Sequence, residues 1–346
     1  MYYQKITLVA IILFTNLQLS AQYVRDFFYL KEDTKELPVF VRGNMDNNII
    51  LLYVSGSFGD NGIDFGRTNY PGWKHTLEEE LAIAYYDKRG LNRRLSEMDT
   101  SQISWDQYSH DILQIANHLK NNYQAKIILM GHSAGGMLVF HHLAQFNQPD
   151  ASPIEAAIVL NTPYTTDSSP ARYSLYRPEF LKNIAQDFLD KGIESQKWQE
   201  ALEWMIQTDS IHSLETSNIW NRYVDQANAP KEKRITIGMA LKALFTRPYL
   251  PFKNLYTKDN DLVGDLLWEQ KQELNDESFS TLLTQINHEV LVITGQYDPI
   301  AVPEELAPIE DALRNVETMV LPNCGHESYL DQPDLLNQAI VEFIRN

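Results

Sequence analysis

Apolar residues along this chain fall into two patterns that alternate. Unbroken apolar runs occur at 48–54 (NIILLYV), 83–86 (IAYY), 127–130 (IILM), 154–160 (IEAAIVL), 289–294 (EVLVIT) and 317–321. Runs of this length, rich in Val and Ile and bounded by polar or glycine-rich stretches, suit strands buried on both faces. Between them the apolar positions take a helical period. Ser104-Trp-Asp-Gln107 matches a capping box, and Ile112, Ile115, Ala116 and Leu119 then lie on one face of a helix running to about residue 121. Helical signals also cover 73–81, 303–313 and 333–344. Before the first buried run, 23–31 and 36–42 flank a polar turn and predict an antiparallel hairpin. Strands alternating with helices imply right-handed crossovers and a mainly parallel sheet, an α/β fold.

From about Thr165 to Gln285 this rhythm stops. The segment carries helical periodicity at 180–189, 198–206 and 262–273, one ambiguous run at 234–239, and prolines at 170, 178, 230, 248 and 251. It predicts a helical cap, 165–285, inserted after the strand ending near Leu160. The sheet-bearing core is then 22–164 together with 286–346.

The first 21 residues differ from the rest. Lys5 precedes an apolar stretch 6–14, and Leu19-Ser20-Ala21 forms a small-residue cleavage site ahead of Gln22. This is the layout of a signal peptide, and the apolar part is short for a bilayer span. The expectation is an exported protein, periplasmic or secreted and bacterial, with no stable membrane span. Cys324 is the single cysteine, so no intramolecular disulfide forms. At 346 residues with 44% hydrophobic content, the chain buries one large core or two modest ones. Its formal charge of −17 argues against a nucleic-acid partner, because no basic surplus is present to neutralise phosphates.

The candidate chemistry sits after the run 127–130, at Gly131-His132-Ser133-Ala134-Gly135. This fits G-x-S-x-G between a strand and a helix, the turn that exposes a serine hydroxyl at the carboxyl edge of a sheet and at a helix N-terminus. A nucleophilic serine needs a base, and the base needs an orienting acid. Eight of the nine histidines fall within helices, in the insertion, at a strand start or in the turn itself. His326, in Asn323-Cys-Gly-His-Glu327, follows a late buried strand and is the expected base. Asp298, in Gly295-Gln-Tyr-Asp-Pro299, follows the preceding strand and gives the order Ser, Asp, His; Asp167 is the runner-up. Two backbone N–H groups should hold the developing oxyanion. Ala134 offers one, and Ser57 in the loop after Val54 is the choice for the other, although any residue from Gly56 to Gly59 would serve.

Taken together, the sheet signals, Gly131-His-Ser-Ala-Gly135, Asp298-Pro and Gly325-His326 resemble the α/β-hydrolase superfamily over nearly the whole mature chain. The large insertion and Asp87-Lys-Arg-Gly90 resemble its proline iminopeptidase-like serine peptidases, whose motif there is Asp-Gln-Arg-Gly. That resemblance implies release of an N-terminal residue, often proline, with cap carboxylates binding the free amine. The chain departs from the family at the oxyanion loop, which reads Ser55-Gly-Ser-Phe-Gly59 in place of His-Gly-Gly-Pro-Gly. Glu200, Glu203 and Glu269, beside Trp198, Trp204 and Trp268, would suit an amine pocket but read as ordinary residues of amphipathic helices.

Other chemistries fit less well. His141 and His142 are adjacent and point to different helix faces, a poor chelate. The loop 55–62 lacks the Lys-Ser/Thr ending of a P-loop and the G-x-G-x-x-G spacing. An elbow serine excludes the aspartate nucleophile of haloalkane dehalogenases and epoxide hydrolases. The expectation is therefore a serine hydrolase that needs no metal or organic cofactor. Its substrate is a small molecule or short peptide, cleaved as an aminopeptidase or as a carboxylesterase. A non-catalytic binding module on the same scaffold is the rival from another class, and loss of a triad member would mark it.

Overall fold

The computed structural model describes residues 22–32, 35–57, 61–91, 100–148, 151–165, 169–208, 210–227, 259–272 and 276–345. The leader-like stretch 1–21, the run 234–239, Pro230, Pro248, Pro251, Phe58, Gly59, the runner-up acid Asp167 and the side chain of Trp268 lie outside them.

Eight strands form one sheet: β1 (Tyr23–Glu32), β2 (Lys35–Asn44), β3 (Ile49–Val54), β4 (Ala82–Tyr86), β5 (Lys126–His132), β6 (Ile154–Leu160), β7 (Glu289–Gly295) and β8 (Val316–Leu321). Their spatial order is β1-β2-β4-β3-β5-β6-β7-β8. The hairpin β1–β2 is antiparallel, β2 runs antiparallel to β4, and every later pairing is parallel. The α/β, mainly parallel architecture is as the alternation of patterns required.

Twelve described helices cover the faces and span the insertion: α1 (Gly62–Thr68), α2 (Leu77–Glu80), α3 (Trp105–Tyr123), α4 (Ala134–Gln145), α5 (Arg177–Asp190), α6 (Ser195–Ile206), α7 (Leu214–Ala227), α8 (Asp259–Gln272), α9 (Asp276–Leu283), α10 (Leu306–Ala312), α11 (Ser328–Asp331) and α12 (Pro333–Arg345). Successive strand residues face opposite ways. Ile50, Leu52 and Val54 therefore join the core with α3, α4, α9 and α10, while Leu51 and Tyr53 join Ile63 of α1, Trp73 and Ile340 of α12 on the other face. Helix α3 begins with one half of the expected capping box: the backbone N–H of Gln107 donates to Ser104 Oγ at 3.2 Å, while the Gln107 side chain donates to Asp111 at 3.2 Å. It ends at Gln124, which takes the left-handed conformation that closes many helices.

One expected helix is shorter than the pattern implies, and one further helix appears. Helical signals at 73–81 resolve into a 3-10 turn, Trp73–His75, and the four-residue α2. The stretch after the glycine loop, to which the sequence pattern assigned no element, holds α1. Its sequence GIDFGRT has little helical signal, and its first turn is tied down from outside by the Asp87 carboxylate, which accepts from Ile63 N–H at 3.0 Å.

Between β6 and β7, helices α5, α6 and α7 share a hydrophobic cluster of their own. Phe180, Trp198, Met205 and Trp220 are buried there, and Tyr297 and Val302 from the loops after β7 complete it. Burying a large apolar side chain contributes roughly 1.5–3 kcal/mol, so this cluster fixes the loop that carries Asp298 against the inserted helices.

Candidate active site

Parallel register carries the carboxyl ends of the inner strands to one edge of the sheet. Val54 pairs with Gly131, and His132 pairs with Leu160. Ser55, Ser133, Asn161, Asp298 and His326 all follow strands at this edge.

Ser133 joins β5 to α4 with φ 52° and ψ −126°, a conformation costly for any residue with a Cβ. The turn needs small neighbours. A Cβ on Gly135 would sit 2.6 Å from the Ser55 carbonyl oxygen and closer still to that of Val54. Two backbone contacts hold the strained residue: its N–H donates to Leu160 O at 2.8 Å, and its carbonyl accepts from Thr162 Oγ1 at 2.9 Å.

The Ser133 hydroxyl lies 3.0 Å from His326 Nε2, positioned to donate to it. His326 Nδ1 in turn lies 2.9 and 3.0 Å from the two carboxylate oxygens of Asp298. Asp298 is fully buried and its carboxylate is held from several directions. The amides of Ile300 and Ala301 donate to Oδ1 at 2.8 and 3.0 Å, and Asn161 Nδ2 donates to Oδ2 at 2.9 Å. Burial alone would raise the Asp298 pKa; the charge and hydrogen bond of His326, with the Ala301 amide and Asn161, outweigh it and the net shift is downward. Burial likewise opposes a charged His326, but the Asp298 carboxylate outweighs it, with help from Glu327, and the His326 pKa is raised. The arrangement favours an imidazolium facing a carboxylate, the state reached once the serine proton has moved.

Asn161 was not among the expected site residues. It sits at φ 49° directly after β6, a backbone state that Asn tolerates better than most residues. Its amide also donates to the Gly325 carbonyl at 3.1 Å, so one side chain ties the acid to the histidine loop. That loop is further fixed by the Asp331 carboxylate, which accepts from Gly325 N–H at 2.7 Å. Arg172, at the start of the inserted segment, donates to the Ile300 carbonyl at 3.0 Å and pairs with buried Glu305. The only signal available beforehand was position: a polar residue immediately after a buried strand.

Ala134 opens α4 directly after the serine, and Ser57 lies in the loop after β3 at φ 43°. Lys88, from the Asp87-Lys-Arg-Gly90 motif, lies beneath that loop and donates to Ser55 and Ser57. A cleft of about 670 Å³ opens over Ser133 and His326, lined on its other sides by Tyr53, Asp64, Phe65, Tyr70, Glu327 and Tyr329. The helix glutamates are placed elsewhere. Glu200, Glu203 and Glu269 are exposed and outside the lining, and Trp198 is buried among the inserted helices. His141 and His142 face different partners, Asp106 and Ser109.

This geometry sits on a chain whose residues 77–333 match the family profile described as alpha/beta hydrolase fold. Among curated proteins, the chain is 21% identical over 324 residues to YbaC of Bacillus subtilis (strain 168), named as a probable aminopeptidase, covering 91% of this chain and 94% of that protein. A shorter match, 40% identical over 63 residues, joins it to the pimeloyl-[acyl-carrier protein] methyl ester esterase of Nitrosospira multiformis; it spans 18% of this chain and only 24% of that enzyme. Among solved structures, the proline iminopeptidase of Mycobacterium smegmatis aligns with a TM-score of 0.56 at 14% identity, covering 92% of this chain and 98% of its own. A thermophilic esterase from Thermogutta terrifontis aligns at 0.50 and 19% identity, covering 93% and 98%. Both structural likenesses speak to the fold. The chain belongs to the alpha/beta hydrolase fold family.

Proposed function

We propose that this protein is a serine hydrolase working through an acyl-enzyme on Ser133, and that it removes N-terminal residues in the manner of a proline iminopeptidase-like aminopeptidase. The observation that carries the hydrolytic part is the chain of contacts Ser133 Oγ, His326 Nε2 and His326 Nδ1, Asp298, at 3.0 and 2.9 Å. In this reading the Ser133 oxygen attacks the carbonyl carbon as its proton passes to His326 Nε2. Asp298 keeps Nδ1 protonated and stabilises the resulting charge, and the amides of Ala134 and Ser57 receive the oxyanion. His326 then returns the proton to the leaving amine, and a water activated by the same imidazole releases the acyl group.

The aminopeptidase part is supported by the full-length likeness to YbaC. It is also supported by the cleft wall, where Asp64 and Glu327 supply carboxylates and, among the described residues, no lysine or arginine lines the space. A cationic amino terminus suits such a wall better than an anionic substrate does. In this reading the inserted segment 165–285, expected from its sequence to form a helical cap, selects the substrate, and the leader-like residues 1–21 direct export.

A carboxylesterase is the second reading, favoured by the local match to the Nitrosospira methyl ester esterase. A paired assay separates the two, using aminoacyl-naphthylamides, the prolyl one included, beside short-chain nitrophenyl esters. Release of naphthylamine from free-amine substrates, lost when the amine is acetylated, is the expected result. Turnover of esters alone overturns the aminopeptidase assignment.

A further inference from the structure

The two places where the chain departs from the peptidase motifs meet in space. Lys88 stands where those motifs have Gln, and Ser55 stands where they have His. Lys88 Nζ donates to Ser55 Oγ at 3.0 Å, to the Ser55 carbonyl at 2.9 Å and to the Ser57 carbonyl at 3.0 Å. The lysine is 3% exposed, so its ammonium sits behind the loop rather than in the cleft. Ser57 itself is at φ 43°, a conformation that costs energy unless its surroundings impose it. On its other side the loop rides on His132, for a Cβ on Gly56 would come within 2.5 Å of His132 Nδ1.

We propose that Lys88 is a positioning residue for the oxyanion loop. The inference rests on the serine hydrolase reading of Ser133. Two carbonyls of the loop point at one ammonium, which fixes the orientation of their peptide planes. The Ser57 N–H belongs to the peptide between these two, Gly56–Ser57; with both neighbouring peptides pinned by the ammonium, that peptide is kept from turning its Gly56 carbonyl oxygen, rather than the N–H, toward the developing negative charge. The ammonium holds the loop in the orientation that receives the oxyanion, and its positive charge adds to the potential there without touching substrate. Ser55 Oγ gives the lysine a third acceptor that a histidine at that position would supply differently, so Lys88 and Ser55 act as a matched pair.

The test uses the full-length protein with Lys88→Met and Lys88→Gln, assayed on whichever substrate class the wild type turns over. Removing one oxyanion donor commonly costs about 10²–10³-fold in kcat; a loosened loop should cost less. Lys88→Met is expected to lower kcat by roughly 10- to 100-fold while KM stays within about threefold, and to weaken a boronic acid that forms a tetrahedral adduct by a similar factor. Lys88→Gln, which keeps donors and loses charge, should recover part of the loss. Thermal melting separates misfolding from this effect, and if Lys88→Met does not fold, Lys88→Gln carries the test. A folded Lys88 variant with kcat and boronate affinity within twofold of wild type overturns the inference. So does a loss confined to KM. Ser133→Ala is run alongside: if it retains turnover, the serine hydrolase reading has failed, whereas an inactive Ser133→Ala beside a fully active Lys88→Met refutes the role of Lys88 alone.

Discussion

His132 donates its Nε2 hydrogen to the carbonyl oxygen of His326 across 2.9 Å. The residue just before the proposed nucleophile therefore holds the backbone of the proposed base, and packs its ring against Tyr329. Burial, with the nearby His326, lowers the His132 pKa to about 3, so the ring stays neutral and the hydrogen bond persists across the working pH range. Replacing His132 by Leu should leave the His326 carbonyl unsatisfied, at a cost of about 1–3 kcal/mol in unfolding free energy. A roughly tenfold fall in kcat should accompany it, about 1.4 kcal/mol of lost alignment.

The same histidine has a consequence in acid. Its folded pKa is depressed, so below the unfolded value near 6.5 the unfolded chain binds a proton that the folded chain refuses. Stability should decline as pH falls from about 6.5 towards 3. The slope of unfolding free energy against pH should be shallower in His132→Leu by up to about 1.4 kcal/mol per pH unit. Urea titrations at several pH values measure this, and an unchanged slope contradicts it.

Activity should depend on pH through His326. The base must be neutral to accept the serine proton, and its pKa is raised, so the acid limb of kcat/KM should lie above the ordinary imidazole value near 6.5. Asp298→Asn should move that limb down and lower kcat by about 10⁴-fold, as expected when a base loses its orienting carboxylate. A pH–rate profile of both proteins checks the direction. The same raised pKa also stabilises the fold below the unfolded value and ceases to do so as pH rises through the folded one.

Backbone strain at Ser133 gives an ordering of stabilities. Glycine in place of another residue usually costs about 0.5–1 kcal/mol in the folded protein. At φ 52° and ψ −126° the sign should reverse, with Ser133→Gly melting above Ser133→Ala. Differential scanning calorimetry of the two variants decides this.

Gly135→Ala should damage the site through packing rather than chemistry. The new methyl would press on the carbonyls of Val54 and Ser55, parting α4 from the oxyanion loop. A loss of about 1–3 kcal/mol in stability is expected, with kcat falling further than KM rises.

Much of this was legible in the sequence because much of it is local. The buried strands announce themselves as apolar runs, and the elbow is a contiguous motif whose glycines answer to the crowding around Gly131 and Gly135. Asp298 and His326 were readable from their positions after β7 and β8 respectively. What stayed hidden depends on distant partners. Asn161 reaches across 137 positions to Asp298 and carries no periodic signal of its own. Helix α1 is weak in propensity and borrows its first-turn acceptor from Asp87. Lys88 lay in a motif whose resemblance pointed to family, while its role depends on Ser55 and Ser57 in an earlier loop. The glutamates of α6 and α8 carried the right charge for an amine pocket, but charge does not reveal which way a helix faces, and these face outward.

The Ser133 hydroxyl, activated by His326, is the proposed nucleophile. Labelling the purified protein with a fluorophosphonate and mapping the adduct by peptide mass spectrometry tests it directly. A single stoichiometric phosphonyl adduct on Ser133 is expected, formed in the wild type, strongly slowed in His326→Ala and absent in Ser133→Ala together with all turnover. An adduct on another residue, or turnover that survives in Ser133→Ala, contradicts it.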